Sequence, residues 1–179
     1  MILLRPDGPT PAALLPGSFN PLHAGHVALA EVAARRLGGP VHFELSAANV
    51  DKPDLPAAEV ERRTAQFAGI GPVWVTRAAT FVEKARLLPG TGFVVGFDTA
   101  ARIIDPRYYA DDLGQRDAAL RELVAGGVRF LVGGRVDAGG RFREWAADLL
   151  AGEFAGLFAV IPATEFRMDV SSTTLRRNW

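Results

Sequence analysis

The alternation of apolar and polar positions along the chain predicts six buried strands separated by helices. Short apolar runs bounded by glycine or proline are typical of buried strands. They fall at residues 12–15, 41–45, 73–76, 93–96, 128–132 and 157–161. Apolar residues at helical spacing lie between these runs. The predicted helices cover residues 27–37, 59–67, 81–87, 120–124 and 142–149, and a short helix opens at residues 169–173.

Strands and helices in alternation indicate an α/β protein. We expect a Rossmann-like, doubly wound sheet of five or six mainly parallel strands with helices on both faces. Residues 1–179 contain no linker, repeat or low-complexity tract and are expected to form a single domain. Ligands of such sheets bind outside the carboxyl ends of the strands. This geometry is expected to bring together four polar segments, residues 17–26, 96–98, 133–135 and 171–176.

The first of these segments follows a buried strand and leads into a helix. Gly17 lets backbone amides approach a ligand without a Cβ in the way. The first turn of a helix leaves amide donors unpaired and carries the positive end of the helix dipole. His23 and His26 are three residues apart and can face the same side of that turn. The glycine turn, the free backbone amides and the two imidazoles together predict a binding site for a polyphosphate.

Residues 17–26 resemble the G-x-F-x-P-x-H-x-G-H signature of the nucleotidyltransferase superfamily. All six fixed positions of that pattern are present. The plainer alternative is a strand, a turn and a helix in which the two histidines serve packing. Six matches within ten residues favour the functional interpretation.

The segment at residues 170–176 resembles the motif that closes the same superfamily, a hydrophobic residue, Ser-Ser-Thr, any residue, a hydrophobic residue and Arg. Hydroxyl groups at the start of a helix offer donors beside free backbone amides, and Arg176 lies one turn on from Thr173. A well-capped terminal helix is the alternative. A helix this short is marginal alone and must dock to persist. We expect it to close around the same triphosphate as the histidine pair.

Composition limits the function classes. Twenty Lys and Arg balance twenty Asp and Glu, so no global field draws the protein to nucleic acid or to a membrane surface. The chain has no cysteine, which excludes disulfides and thiolate chemistry. Its N-terminus lacks the form of a signal peptide, and no stretch approaches the ~20 apolar residues of a membrane span. We expect a cytoplasmic location, and the sequence leaves self-association open.

The resemblance implies adenylyl transfer from ATP to a phosphorylated acceptor, with release of pyrophosphate. Mg²⁺ is expected to bridge the phosphates, with no metal cage in the protein. The motif positions imply catalytic roles for His23, His26 and Arg176. The residues implied in ATP binding are Gly17, Ser18, Phe19, Gly25, Gly96, Asp98, Arg135, Ser171, Ser172 and Thr173. Asp98 belongs to a Gly-x-Asp element expected to meet the ribose. As alternatives, Asp98 caps a helix and Arg135 belongs to a polar turn.

The acceptor is indicated by weaker signals. Asn20 gives the Gly-Ser-Phe-Asn-Pro form found in nicotinamide-mononucleotide adenylyltransferases, so nicotinate or nicotinamide mononucleotide is the expected acceptor. No tryptophan follows residues 96–98, where pyridine-nucleotide enzymes often place a stacking ring. The acceptor-binding residues are predicted to be Asn20, Lys52, Arg62, Trp74 and Tyr108. Lys52 and Arg62 are alternatively plain solvated charges.

Two other functions stay open. The same chemistry on a different phosphorylated metabolite is one, and a nucleotide-binding sensor without turnover is the other. A class I aminoacyl-tRNA synthetase fragment is excluded because the chain is short, neutral and without a lysine-rich second signature. A nicotinamide-dependent oxidoreductase is excluded because no G-x-G-x-x-G follows the first strand.

Overall fold

The structure, a computed structural model, describes residues 1–48, 50, 53–137, 139–146, 150 and 152–167. Its strands are β1 (Ile2–Leu4), β2 (Ala13–Gly17), β3 (Val41–Ser46), β4 (Val73–Thr76), β5 (Gly92–Gly96), β6 (Phe130–Gly133), β7 (Arg135–Val136), β8 (Phe142–Arg143) and β9 (Phe158–Ile161). Its α-helices are α1 (Ala24–Leu37), α2 (Ala57–Thr64), α3 (Phe81–Leu87), α4 (Phe97–Ile104) and α5 (Leu113–Ala125).

Seven of the described strands form one sheet, in the order β1-β4-β3-β2-β5-β6-β9. Every neighbouring pair is parallel except β1 with β4. From β2 the chain builds outward through β3 and β4, and then crosses to β5 on the other side. The strand order therefore reverses between β2 and β5, where a doubly wound sheet opens a crevice at the carboxyl ends of its strands.

The residues at the helix ends determine where two of the helices end or begin. Helix α1 ends at Gly38, whose φ of 63° is left-handed and whose N–H bonds to the Ala34 carbonyl. Helix α3 begins with a capping box, in which the Thr80 hydroxyl accepts from the Glu83 amide and the Glu83 carboxylate accepts from Thr80. These ends set where each helix returns the chain to the sheet.

The core has two layers, one on each face of the sheet. Helix α1 packs Leu29 and Ala33 on one face, beside Phe43 and Phe67. Helices α4 and α5 supply buried side chains such as Ile103 to the other face. Apolar surface is thus removed from water on both sides of the strands. The predicted Rossmann-like α/β class is confirmed.

The edge strand β1 was not anticipated from the sequence. It pairs antiparallel with β4, with Ile2 opposite Thr76 and Leu4 opposite Val75. Leu3 and Leu4 remain exposed. Three residues are too few for the alternation of apolar and polar positions that identifies a strand in a sequence.

The helix predicted over residues 142–149 is wrong at its start. Strand β8 pairs antiparallel with β7 and forms a hairpin instead. The Asp137 carboxylate accepts from the amides of Gly139 and Arg141 and fixes the turn. The helical spacing misled because Trp145 is also buried, against Phe97 and Phe158. Leu149 lies outside the described residues.

Among the helices of the described part of the chain, none combines the length and apolarity needed to cross a bilayer.

Candidate active site

The turn after β2 is built on a close contact between a glycine and a buried ring. A Cβ on Gly17 would lie 2.7 Å from the Phe19 ring. Phe19 is fully buried, at left-handed φ 43°, and its ring packs edge-on against Phe43 and Phe67. The side chain of Phe19 therefore belongs to the core, and the predicted ATP contact at this position is left to its backbone. Ser18, beside it, is exposed.

The two histidines lie at the start of helix α1. His23 is the residue that precedes the first helical position, and the His23 and His26 rings stack with centroids 3.8 Å apart. The backbone N–H of His23 donates to Nδ1 of His26 at 3.3 Å. An imidazole that accepts at Nδ1 carries its hydrogen on Nε2 when neutral. No acceptor within the described ranges takes that Nε2–H, so His26 has a donor to offer a ligand.

Both imidazoles are held neutral. Burial, with a smaller effect of the His23 charge, lowers the pKa of His26 to about 3. Burial also lowers the pKa of His23. The Nδ1 atom of His23 is buried and faces the backbone N–H of His26, but that N–H donates to the His23 carbonyl at 2.9 Å, so Nδ1 has no hydrogen bond of ordinary geometry among the described residues. Buried polar atoms are almost always paired, so we expect a water molecule or a ligand to meet this one.

The second side of the crevice comes from β5 and β6. Gly96 ends β5, and helix α4 begins at Phe97, so Asp98 lies in the first turn of that helix. Arg135 Nη1 donates to Asp98 Oδ2. Both side chains are about half exposed, at 44% and 55%. The structure thus brings together Gly96, Asp98 and Arg135, as the sequence predicted.

Two predicted acceptor residues also meet. Arg62 Nη2, on helix α2, donates to Asn20 Oδ1 at 2.9 Å. The Glu59 carboxylate binds the same guanidinium at 2.7 and 2.8 Å. Arg62 stays half exposed. Its charge is therefore fixed beside the turn after β2 and accessible to solvent.

Two other predicted acceptor residues are placed elsewhere. Trp74 is 1% exposed and its Nε1–H donates to His42 Nδ1 at 3.1 Å, so no face of its ring is free for a ligand. Tyr108 lies in the 3₁₀ turn Pro106–Tyr109, beyond the carboxyl end of α4. An eight-residue helix spans about 12 Å, which separates this turn from the crevice. Neither ring is where the sequence interpretation needed it.

Several predicted residues lie outside the described residues. These are Lys52, Ser171, Ser172, Thr173 and Arg176. Their roles remain predictions.

The described crevice favours anions. Its donors are imidazole, guanidinium and helix-terminal amide groups. No group of three or more His, Asp or Glu within the described ranges could hold a metal ion. Asp98, the exposed acid, is already paired with Arg135.

The sequence interpretation missed Glu59, Arg63 and Gln66. Arg63 and Gln66 bind the backbone of the turn after β2. Glu59 holds Arg63 at 2.7 Å, across one helical turn. One signal in the sequence could have indicated them. Glu59 and Arg63 are four residues apart, as are Arg62 and Gln66, so each pair shares one side of the helix.

Donors of this kind, at the point where the strand order reverses, are characteristic of a doubly wound α/β protein that binds nucleotide phosphates.

The chain belongs to the cytidylyltransferase-like family, whose model matches residues 14–178. This membership confirms the resemblance to the nucleotidyltransferase superfamily. A protein of Schizosaccharomyces pombe with the name "Putative nicotinamide mononucleotide adenylyltransferase" is 32% identical over 119 residues. The match covers 59% of this chain and 47% of the relative, so the chain spans about half the length of that protein.

Proposed function

We propose that the protein transfers the adenylyl group of ATP to a phosphorylated acceptor and releases pyrophosphate. An acceptor phosphate oxygen attacks the α-phosphorus, and the bond from that phosphorus to the bridging oxygen of pyrophosphate breaks. The electron pair of that bond leaves with pyrophosphate. The observation that carries the proposal is the neutral, stacked histidine pair at the strand-order reversal, with its unpaired buried Nδ1 atom.

The protein contributes position and charge stabilisation to this reaction. Neutral imidazole N–H groups can stabilise the negative charge that develops on the transferring phosphoryl group by donating hydrogen bonds to it, without exchanging a proton. The first amides of α1 face the same anion. Arg176 and the hydroxyls of Ser171, Ser172 and Thr173 are proposed to bind the β- and γ-phosphates. Mg²⁺ is proposed to accompany ATP and would neutralise part of the phosphate charge. No covalent intermediate on the enzyme is needed.

The acceptor is proposed to be nicotinate or nicotinamide mononucleotide, giving the dinucleotide. The printed name of the S. pombe relative supports this choice. The contact of Arg62 with Asn20 supports an acceptor that carries phosphate, because a half-exposed guanidinium at the crevice suits that anion. Lys52 is proposed to assist. We propose that the enzyme works in the cytoplasm.

Pyrophosphate release tests the proposal. The purified protein is mixed with ATP, Mg²⁺ and, in turn, nicotinate mononucleotide, nicotinamide mononucleotide and a panel of other sugar and alcohol phosphates. Release with either mononucleotide, together with the dinucleotide as product, is the expected result. Pyrophosphate release only with another acceptor would refute the mononucleotide as substrate but would still support adenylyl transfer. Tight ATP binding without any release identifies a sensor and refutes the enzyme.

A further inference from the structure

Side chains from α2 and from the 3₁₀ turn that follows it hold the loop Ser18–Leu22, here called the phosphate loop. Arg63 Nη1 donates to the Ser18 carbonyl at 2.8 Å. Gln66 Nε2 donates to the Phe19 carbonyl at 2.9 Å. The Leu22 N–H donates to Gln66 Oε1 at 2.9 Å. One amide side chain therefore bridges a carbonyl and an N–H on opposite sides of the same loop.

Gln66 is committed to this task. Its Nε2 makes a further bond to the Arg63 carbonyl at 3.1 Å, and its Oε1 is taken by Leu22. A primary amide has two donor hydrogens, and both are used here. The residue is also partly buried beside Phe67. Gln66 is therefore not arranged to contact a substrate itself.

The phosphate loop needs such support. Phe19 has a φ of 43°, a region that bulky side chains rarely adopt. The Phe19 carbonyl and the Leu22 N–H lie between β2 and α1, and no strand or helix pairs them. Without Gln66 both would lose their described partner close to the core, which is costly. His23 follows Leu22 directly, so the place of the histidine pair depends on this loop.

We infer that Gln66, with Arg63 beside it, is a positioning residue for the transfer reaction: by bridging Phe19 and Leu22 it fixes the phosphate loop and so the position of the donors on His23 and His26. This inference rests on the proposed function. A donor displaced by about 1 Å from a transition-state oxygen can lose on the order of 10²-fold in rate. The effect should appear in turnover more than in substrate binding.

Two substitutions separate the bonds. Gln66→Met keeps the length of the side chain and removes both bonds to the loop. Gln66→Glu keeps an acceptor for Leu22 but places a carboxylate oxygen against the carbonyls of Phe19 and Arg63. Gln115→Glu is the matched control, since Gln115 lies at the exposed start of α5 and bonds only to Asp112 among described side chains.

We expect both variants at Gln66 to lower kcat per folded molecule by ~10–10²-fold, with the KM for ATP changed less than about threefold. Folded fraction is measured by circular dichroism and by thermal unfolding on the same samples. A merely structural role would reduce the amount of folded protein and leave turnover per folded molecule intact. Gln115→Glu is expected to match the parent. A kcat within about twofold of the parent in either variant at Gln66, or an equal loss in Gln115→Glu, overturns the inference.

Nuclear magnetic resonance of the imidazole nitrogens separates this inference from the proposed function. If the parent protein turns over no acceptor, the proposed reaction fails, but the loop geometry can still be judged. We then expect the Nδ1 resonance of His26 to move in Gln66→Met and to stay in Gln115→Glu, because its bond from the His23 N–H depends on the loop. An unchanged His26 resonance in Gln66→Met overturns the inference without reference to activity.

Discussion

At the scale of the residue, the neutral state of His26 decides what the site can do. Its Nδ1 accepts from the His23 backbone, and its Nε2 is left to donate. A charged imidazole would attract phosphate more strongly, but its charge would first have to be desolvated. The neutral His26 ring already carries the hydrogen on Nε2, so it can donate at neutral pH without taking a proton from solvent.

His26→Asn removes that donor and keeps the cap, because the Asn Oδ1 replaces Nδ1 as the acceptor for His23. We expect turnover to fall by ~10²–10³-fold, the usual effect of losing one such donor. His26→Ala should lose as much. Pyrophosphate release per folded molecule measures the effect. His42→Asn is the control, because His42 lies in the core with Trp74 and the Asn Oδ1 can still accept from it. Near-parental turnover in His26→Asn would contradict the role.

The lowered pKa of His26 also predicts how stability depends on pH. Its folded pKa, about 3, is below the unfolded value of 6.5. As pH falls below 6.5 the unfolded chain binds a proton that the folded chain refuses, so stability is present above pH 6.5 and is lost toward pH 3. The loss from His26 is up to about 1.4 kcal/mol per pH unit.

Urea unfolding at several values between pH 7.5 and pH 4 measures this slope. The parent is expected to lose more stability than His26→Asn over that range, by up to about 2 kcal/mol at pH 5. The lowered pKa of His42 is common to both proteins and cancels in the comparison, and the lowered pKa of His23 acts in the same direction in both. Parallel curves for the two proteins would show that His26 titrates normally.

At the scale of the element, an ion pair buried between β3, β4 and α3 joins the sheet to its helix. Lys84 Nζ lies 3.1 Å from Glu44, and the two side chains are 4% and 0% exposed. Thr76 Oγ1 donates to the same carboxylate at 2.6 Å, and Lys84 also donates to the Ala78 carbonyl at 2.6 Å. The pair ties the turn after β4 to the carboxyl edge of the sheet.

Lys84→Met should destabilise the protein by about 3–5 kcal/mol, because it leaves the Glu44 carboxylate buried without its cation. Arg86→Met on the same helix is the control. Arg86 pairs with Glu122, but the two side chains are 65% and 43% exposed. Such a pair contributes about 0–1 kcal/mol. Urea unfolding compares them, and equal effects would show that the buried pair has no special weight.

Elements were predictable where their pattern was long and local. The buried strand predicted over residues 93–96 and the helix predicted over residues 81–87 are both confirmed. The β7–β8 hairpin was not predictable, since two-residue strands carry no period. Trp145 is buried through contacts with Phe97 and Phe158, far away in sequence. Because these tertiary contacts bury Trp145, the apolar positions in this segment had the spacing of a helix although its start is a strand.

At the scale of the whole molecule, the sequence predicted that residues 17–26, 96–98 and 133–135 would meet, but not how they are supported, and the fourth predicted segment, residues 171–176, lies outside the described residues. Gly17, Gly96 and Arg135 converge because strand order alone determines which carboxyl ends are neighbours. The part played by Gln66 depends on the direction of one amide across 44 residues of sequence. The burial of Trp74 depends on which face of β4 it occupies. Neither is written in a motif.

The closing motif gives a prediction at this scale. If the tail binds the same triphosphate as the histidine pair, Arg176→Ala should raise the KM for ATP by ~10–10²-fold, since a bond to a charged group is worth about 1.5–3 kcal/mol. Arg177→Ala is the matched control, one position away with the same charge. Steady-state kinetics with ATP varied checks both. Equal effects of the two substitutions would remove Arg176 from the site.

The contact between Gly17 and the ring of Phe19 changes what the signature can tell about a protein that carries it. A methyl group at position 17 would collide with that ring, whether or not any nucleotide is present. The Gly-x-Phe half of the signature is therefore demanded by folding, and a descendant that had lost its chemistry would still need it. The imidazoles of the signature are the positions proposed to serve the substrate, so a comparison between a working catalyst and one that has lost its activity should weigh His23 and His26 above the Gly-x-Phe half.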